Sequence, residues 1–135
     1  MLKGKTQIAE VNGKKYKLGK LDARSASYLA LKVAAVIAPS VAGRGIDMEQ
    51  AAKALPSMSR EEFDEIQTMI LKTVYEIKDA GGTEMSVPII NARGDFVDED
   101  MAYDTSAVIT LTVRAMIFNI GGFLQGDALK SVLKK

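Results

Sequence analysis

The chain has 135 residues, 47% hydrophobic and 26% charged, with a formal net charge of +1. That is the size and balance of one soluble globular domain, and it offers no bulk field for nucleic acid or an anionic membrane. Cysteine and histidine are both absent, which excludes disulfide frameworks and thiol catalysis and removes the commonest general base and metal ligand. An enzyme is therefore not expected, and neither is a cofactor or a metal.

The opening residues Met1–Lys15 lack the apolar run of a secretory signal, so the chain is expected to stay in the cytoplasm. Asn12-Gly13 supplies the positive φ angles of a tight hairpin, which predicts strands near 6–11 and 14–19. Their register stays open, because Ile8, Val11, Tyr16 and Leu18 do not all fall on one face. Lysines 3, 5, 14, 15, 17 and 20 cluster here. With only Tyr16 interleaved there is no stacking platform for bases, and the cluster reads as a solvated face that discourages edge pairing.

Asp22 reads as an N-cap, followed by Tyr28, Leu29, Val33, Val36 and Ile37 at helical spacing. Pro39 should kink or end that helix. Asp47 and Gln50 suggest a short capped helix before Pro56. Ser59 and Glu62 form a second capping box, with Met58 placed to staple onto Phe63. Phe63, Ile66, Ile70 and Val74 then make an apolar stripe, with Arg60, Glu61, Asp64, Glu65 and Thr68 outside. Strands are predicted near 73–78 and 84–90, with Pro88 favouring an edge. The alternative is a helix running to Asp79 and stopped by Gly81.

Residues 91–104 read as a polar loop with one helical turn. Asp95, Asp98, Glu99 and Asp100 lack the alternating spacing of a calcium loop, and Arg93–Asp95 is a chance tripeptide. From Thr105 to Ile120 an unbroken run favours a helix. The tail Asp127–Lys135 reads as a short basic helix. Gly121 and Gly126 have phosphate-loop spacing, but Asp127 and Ala128 follow where Lys and Ser or Thr are required, and Gly4–Thr6 lacks the upstream glycine. Gly121 and Gly122 are instead expected to break or kink the helix, at about 1 kcal/mol each relative to alanine.

Two stretches, 25–42 and 105–125, are almost free of charge. A cation near the middle of each opposes membrane insertion by about 2.5–3.5 kcal/mol. Helices apolar around most of their circumference must be covered on most sides, and a chain of this size has little core to cover them with. Part of their surface is expected to meet another copy or another protein. Leu29, Val33, Ile117, Phe118, Phe123 and Leu124 are the candidate partner-binding residues. The expected fold is α+β: a mostly helical single domain over 1–135 with an N-terminal β-hairpin and a small additional β element.

The segment "YKLGKLDARSASYLALKVAAVIAPSVA", Tyr16 to Ala42, resembles the opening of tail assembly chaperones from long, non-contractile-tailed bacteriophages. The late segment "NIGGFLQ", Asn119 to Gln125, is similar to their closing motif, and the capped helix, "GGTEMSVPII" and the acidic-aromatic loop follow in the same order. The resemblance implies a non-enzymatic protein of the infected host's cytoplasm, absent from the finished virion. It implies binding to the hydrophobic tape measure protein, which is held soluble until tail tube subunits polymerise around it. It also implies contact with the tail tube protein, mainly through a frameshifted longer form; a homo-oligomer is expected from the uncovered apolar helix surface, which self-association would mask. Neither nucleic acid nor membrane is an expected partner. A structural virion or tail connector protein, or another helical oligomeric adaptor, is the alternative.

Overall fold

The computed structural model describes residues 6–37 and 58–125, with the side chains of 34–37 and 122–125 outside the description. The turn expected at Pro39, the capped helix after Asp47 and the C-terminal helix lie outside the described residues.

Strands β1 (Thr6–Val11) and β2 (Lys14–Gly19) pair antiparallel around Asn12 and Gly13, whose φ angles of 54° and 78° are those the two-residue turn demands. Ala9 lies opposite Tyr16 and Val11 opposite Lys14. Alternation therefore puts Ala9, Val11, Tyr16 and Leu18 on one buried face. Ile8, opposite Lys17, turns the other way and is 55% exposed. This settles the register: Ile8 is the apolar residue that leaves the core face.

Helix α1 (Ala23–Ile37) begins where the Ser25 N–H donates to the Asp22 carboxylate at 3.0 Å, the N-cap expected there. Helix α2 (Arg60–Leu71) has the full capping box: the Glu62 N–H donates to the Ser59 hydroxyl and the Ser59 N–H donates to the Glu62 carboxylate. Ile66 and Ile70 are buried and Phe63 packs against them at the edge of the core. Arg60, Glu61, Asp64 and Glu65 are exposed. Thr68 is not on the outside as expected; it is half-buried under the loop at Gly94, where a Cβ would lie 3.3 Å from its methyl group.

Thr73 ends α2 by turning both its N–H and its hydroxyl to the Ile70 carbonyl, at 3.0 and 2.7 Å. The β-branched and aromatic residues that follow form β3 (Val74–Ala80), and β4 (Thr83–Pro88) returns around Gly81 and Gly82, both at positive φ. The strand reading holds over the helical alternative, and β4 is an edge, as Pro88 required. β3 joins β2 antiparallel, with Val74 opposite Leu18. The two hairpins thus make a single four-stranded sheet in the order β1-β2-β3-β4. The β part is larger than a hairpin with a small addition, and the fold is mixed α+β.

A one-turn helix, α3 (Glu99–Ala102), follows the bridge between Ile90 and Phe96. Helix α4 (Thr105–Gln125) is continuous through Gly121 and Gly122, so the expected break is absent. The helix is packed by α1, α2, α3, β1 and β2, and such burial outweighs about 1 kcal/mol per glycine. Gly121 itself is buried, and a Cβ there would approach the Ile117 side chain to 3.1 Å.

Replacing Ser59 with alanine removes one half of the capping box and the hydroxyl that satisfies the Glu62 N–H. The expected loss is about 1 kcal/mol of stability, read as a lower urea midpoint with an unchanged m-value.

Candidate partner groove

Helix α1 has two unlike faces. Leu29 and Val33 point into the core and are fully buried. The face beside them carries small residues at helical spacing, Ala23, Ala26, Ser27 and Ala30. Against α4 this small-residue face leaves an open groove of about 420 Å³, completed by Leu31 of α1 and by Asn119 and Ile120 of α4. Its walls are mostly apolar. The Ser27 hydroxyl donates back to the Ala23 carbonyl at 2.7 Å, spending its proton within the helix. Leu31 is 50% exposed, unusual for a leucine in so apolar a helix, and stands at the groove's edge.

Polar contacts tie α1 to α2, and the residues just before α1 to α4. Toward α2, Lys32 pairs with Glu62 and the Tyr28 hydroxyl donates to Glu65 at 2.9 Å. The Lys32 hydrogen bond, then the Ser59 N–H, holds the Glu62 carboxyl below its ordinary range. The same hydrogen bond to Glu62 raises Lys32. Hydrogen bonding to Glu65 raises the Tyr28 phenol. Toward α4, the Asn119 side chain accepts from the Leu21 N–H at 2.7 Å and donates to the Gly19 carbonyl at 3.2 Å and the Ala115 carbonyl at 2.9 Å. Lys20 donates to the Phe118 carbonyl at 2.6 Å, with its ammonium 4.3 Å from the Phe118 ring centre.

The candidate residues fall into three groups. Leu29 and Val33 are core residues that seat α1 and present no surface in this chain. Ile117 and Phe118 are half-buried and pack at the margin of the core. Phe123 and Leu124 continue α4, with side chains outside the description. The groove's small residues and Leu31 were missed by a search for bulky apolar side chains. The signal for them was present: small residues at 23, 26, 27 and 30 repeat at i, i+3, i+4 and i+7.

Several of the other charged residues have structural partners. Asp98 caps α3, accepting from the Asp100 N–H at 2.9 Å, and Lys14 lies 4.0 Å from it. Lys17 stands over Tyr75, as Lys20 does over Phe118. Lys3 and Lys5 lie outside the described residues. Burial first, then Glu76, Asp98 and Asp104, pushes the Tyr16 phenol up to about 12, so it is neutral at any working pH. Among the described residues there is no metal-ligating cluster, and no helix is long and apolar enough to cross a membrane.

An α+β scaffold bearing an apolar groove between two helices, walled by alanines and one amide, is suited to packing polypeptide. The model of the family described as "Phage tail assembly chaperone protein, TAC" matches residues 12–130, nearly the whole chain, and the chain belongs to that family. No curated protein and no solved structure matches it.

Two outcomes are expected. Asn119→Ala leaves the Leu21 N–H and the Gly19 carbonyl without their partner and should cost about 1–3 kcal/mol, measured by urea denaturation. The second concerns pH. Because the folded Glu62 pKa is depressed, its contribution is present above the ordinary glutamate value and is lost as pH falls through the folded one. Lys32→Met should therefore destabilise most near neutrality, and its difference from the unsubstituted chain should shrink on acidification, as followed by urea midpoints across an acid series.

Proposed function

We propose that this tail assembly chaperone binds apolar helical segments of the tape measure protein and keeps that protein soluble until tail tube subunits polymerise around it. The observation that carries the reading is the apolar groove between α1 and α4, beside the exposed Leu31. Small residues let a client helix approach closely, and helix-in-groove packing needs no chemistry. A groove of this size engages few client side chains, so each contact is weak and reversible. Several copies along one long client would gain by multivalency and still let go when the tube arrives.

On this reading Ile117, Phe118, Phe123 and Leu124 of α4 add to the client contacts of the groove, and the buried Leu29 and Val33 seat α1 in the core. The protein acts as a homo-oligomer in the host cytoplasm, leaves before the virion is complete, and catalyses no reaction. A longer, frameshifted form would carry the contact with the tail tube protein.

Co-expression with the tape measure protein of the same phage tests the proposal. The chaperone should raise the soluble fraction of the tape measure protein several-fold. Leu31→Asp should lose most of that gain while its circular dichroism and urea midpoint stay near those of the unsubstituted chain, since Leu31 is half exposed. An unchanged soluble fraction, or the chain's presence in purified particles, would count against the reading.

A further inference from the structure

The contacts that Asn119 and Lys20 make between α4 and the β2–α1 junction are not needed for an apolar surface. They tie two consecutive residues of α4, Phe118 and Asn119, to three consecutive residues at the β2–α1 junction, Gly19, Lys20 and Leu21. The Asn119 amide grips the carbonyl of Gly19 and the N–H of Leu21, as a neighbouring strand's peptide would. Gly19 is held by the sheet as well. Its N–H donates to the Thr73 carbonyl at 2.9 Å, and a Cβ at Gly19 would stand 3.0 Å from that same oxygen. The junction is therefore tied both to the sheet, through Thr73, and to α4, through Asn119. Lys20, between the two gripped residues, reaches the Phe118 carbonyl and ring.

We infer that Asn119 and Lys20 are positioning residues of the groove. They lock the start of α1 to α4 and so hold the groove at one width. Asn119 suits the task by its chemistry. It needs an acceptor for Leu21 and donors for Gly19 and Ala115 on one short side chain. Aspartate has no donor, leucine has neither function, and glutamine is longer by a methylene. Asn119 also lines the groove, so the group that sets the width forms part of the wall. The consequence for client binding rests on the chaperone reading; the positioning itself does not.

The natural chain has no cysteine, so Leu31→Cys with Arg114→Cys gives two unique spin-label sites, on α1 and α4. Electron–electron resonance should show one narrow distance distribution in this background. Asn119→Leu and Lys20→Met, each added to it, should broaden that distribution, the first at least two-fold, with helical content retained. In the unlabelled chain Asn119→Leu should reduce retention of co-expressed tape measure protein at least ten-fold. A residue that merely caps the junction would speed hydrogen exchange at the Leu21 amide and leave the distance unchanged; that result overturns the inference. If Asn119→Leu does not fold, Lys20→Met decides, broadening in its favour and an unaltered distribution against it. If the unsubstituted chain fails to retain tape measure protein while the distances broaden as stated, the chaperone reading falls and the positioning role stands.

Discussion

A long helix with apolar residues on nearly every side has to be surrounded, and the rest of this fold is arranged to surround α4. Ala107, Leu111, Val113, Ala115, Met116 and Ile120 are all buried on it, and its single charge, Arg114, is exposed. Three helices and the first hairpin supply the cover. The buried hydroxyl of Thr112 is satisfied twice, donating to the Val108 carbonyl at 2.7 Å and accepting from Gln67 at 3.1 Å. That exchange with α2 turns what would be a desolvation cost into a fixed contact.

Among the described residues the cover is incomplete beside α1, and the reason lies in that helix's two faces. Leu29 and Val33 are fully buried in the core, while the alanines beside them are too small to fill the space next to Ile120. The result is an apolar groove whose polar side chains are engaged with the chain itself: Ser27 with its own helix and Asn119 with the junction. Such a groove is of the kind that accepts the apolar face of a helix. This agrees with membership of a chaperone family and with a chain that has neither histidine nor cysteine.

Local chemistry made much of the fold legible. Asn12-Gly13 announced the first hairpin, Asp22 and Ser59 announced two helix starts, and the β-branched run after Ile70 announced β3. Tertiary facts were less accessible. The continuity of α4 through Gly121 and Gly122 depends on packing from several elements, which glycine propensity does not include. Periodicity marked Leu29 and Val33 as apolar but could not say whether this chain or a partner covers them. The α1 wall of the groove is mostly alanine, which a search for large hydrophobes passes over. The Asn119 contacts join residues about a hundred positions apart, and no local pattern encodes such a pair.

The central claim is that the α1–α4 groove receives the tape measure protein. Its most direct test is site-specific photo-crosslinking during co-expression, with the crosslinker at Leu31 by the groove or at Ile8 on the open face of the sheet. The account predicts crosslinks from position 31 to apolar helical segments of the tape measure protein and few from position 8. Crosslinks from position 8 with none from position 31 would contradict it.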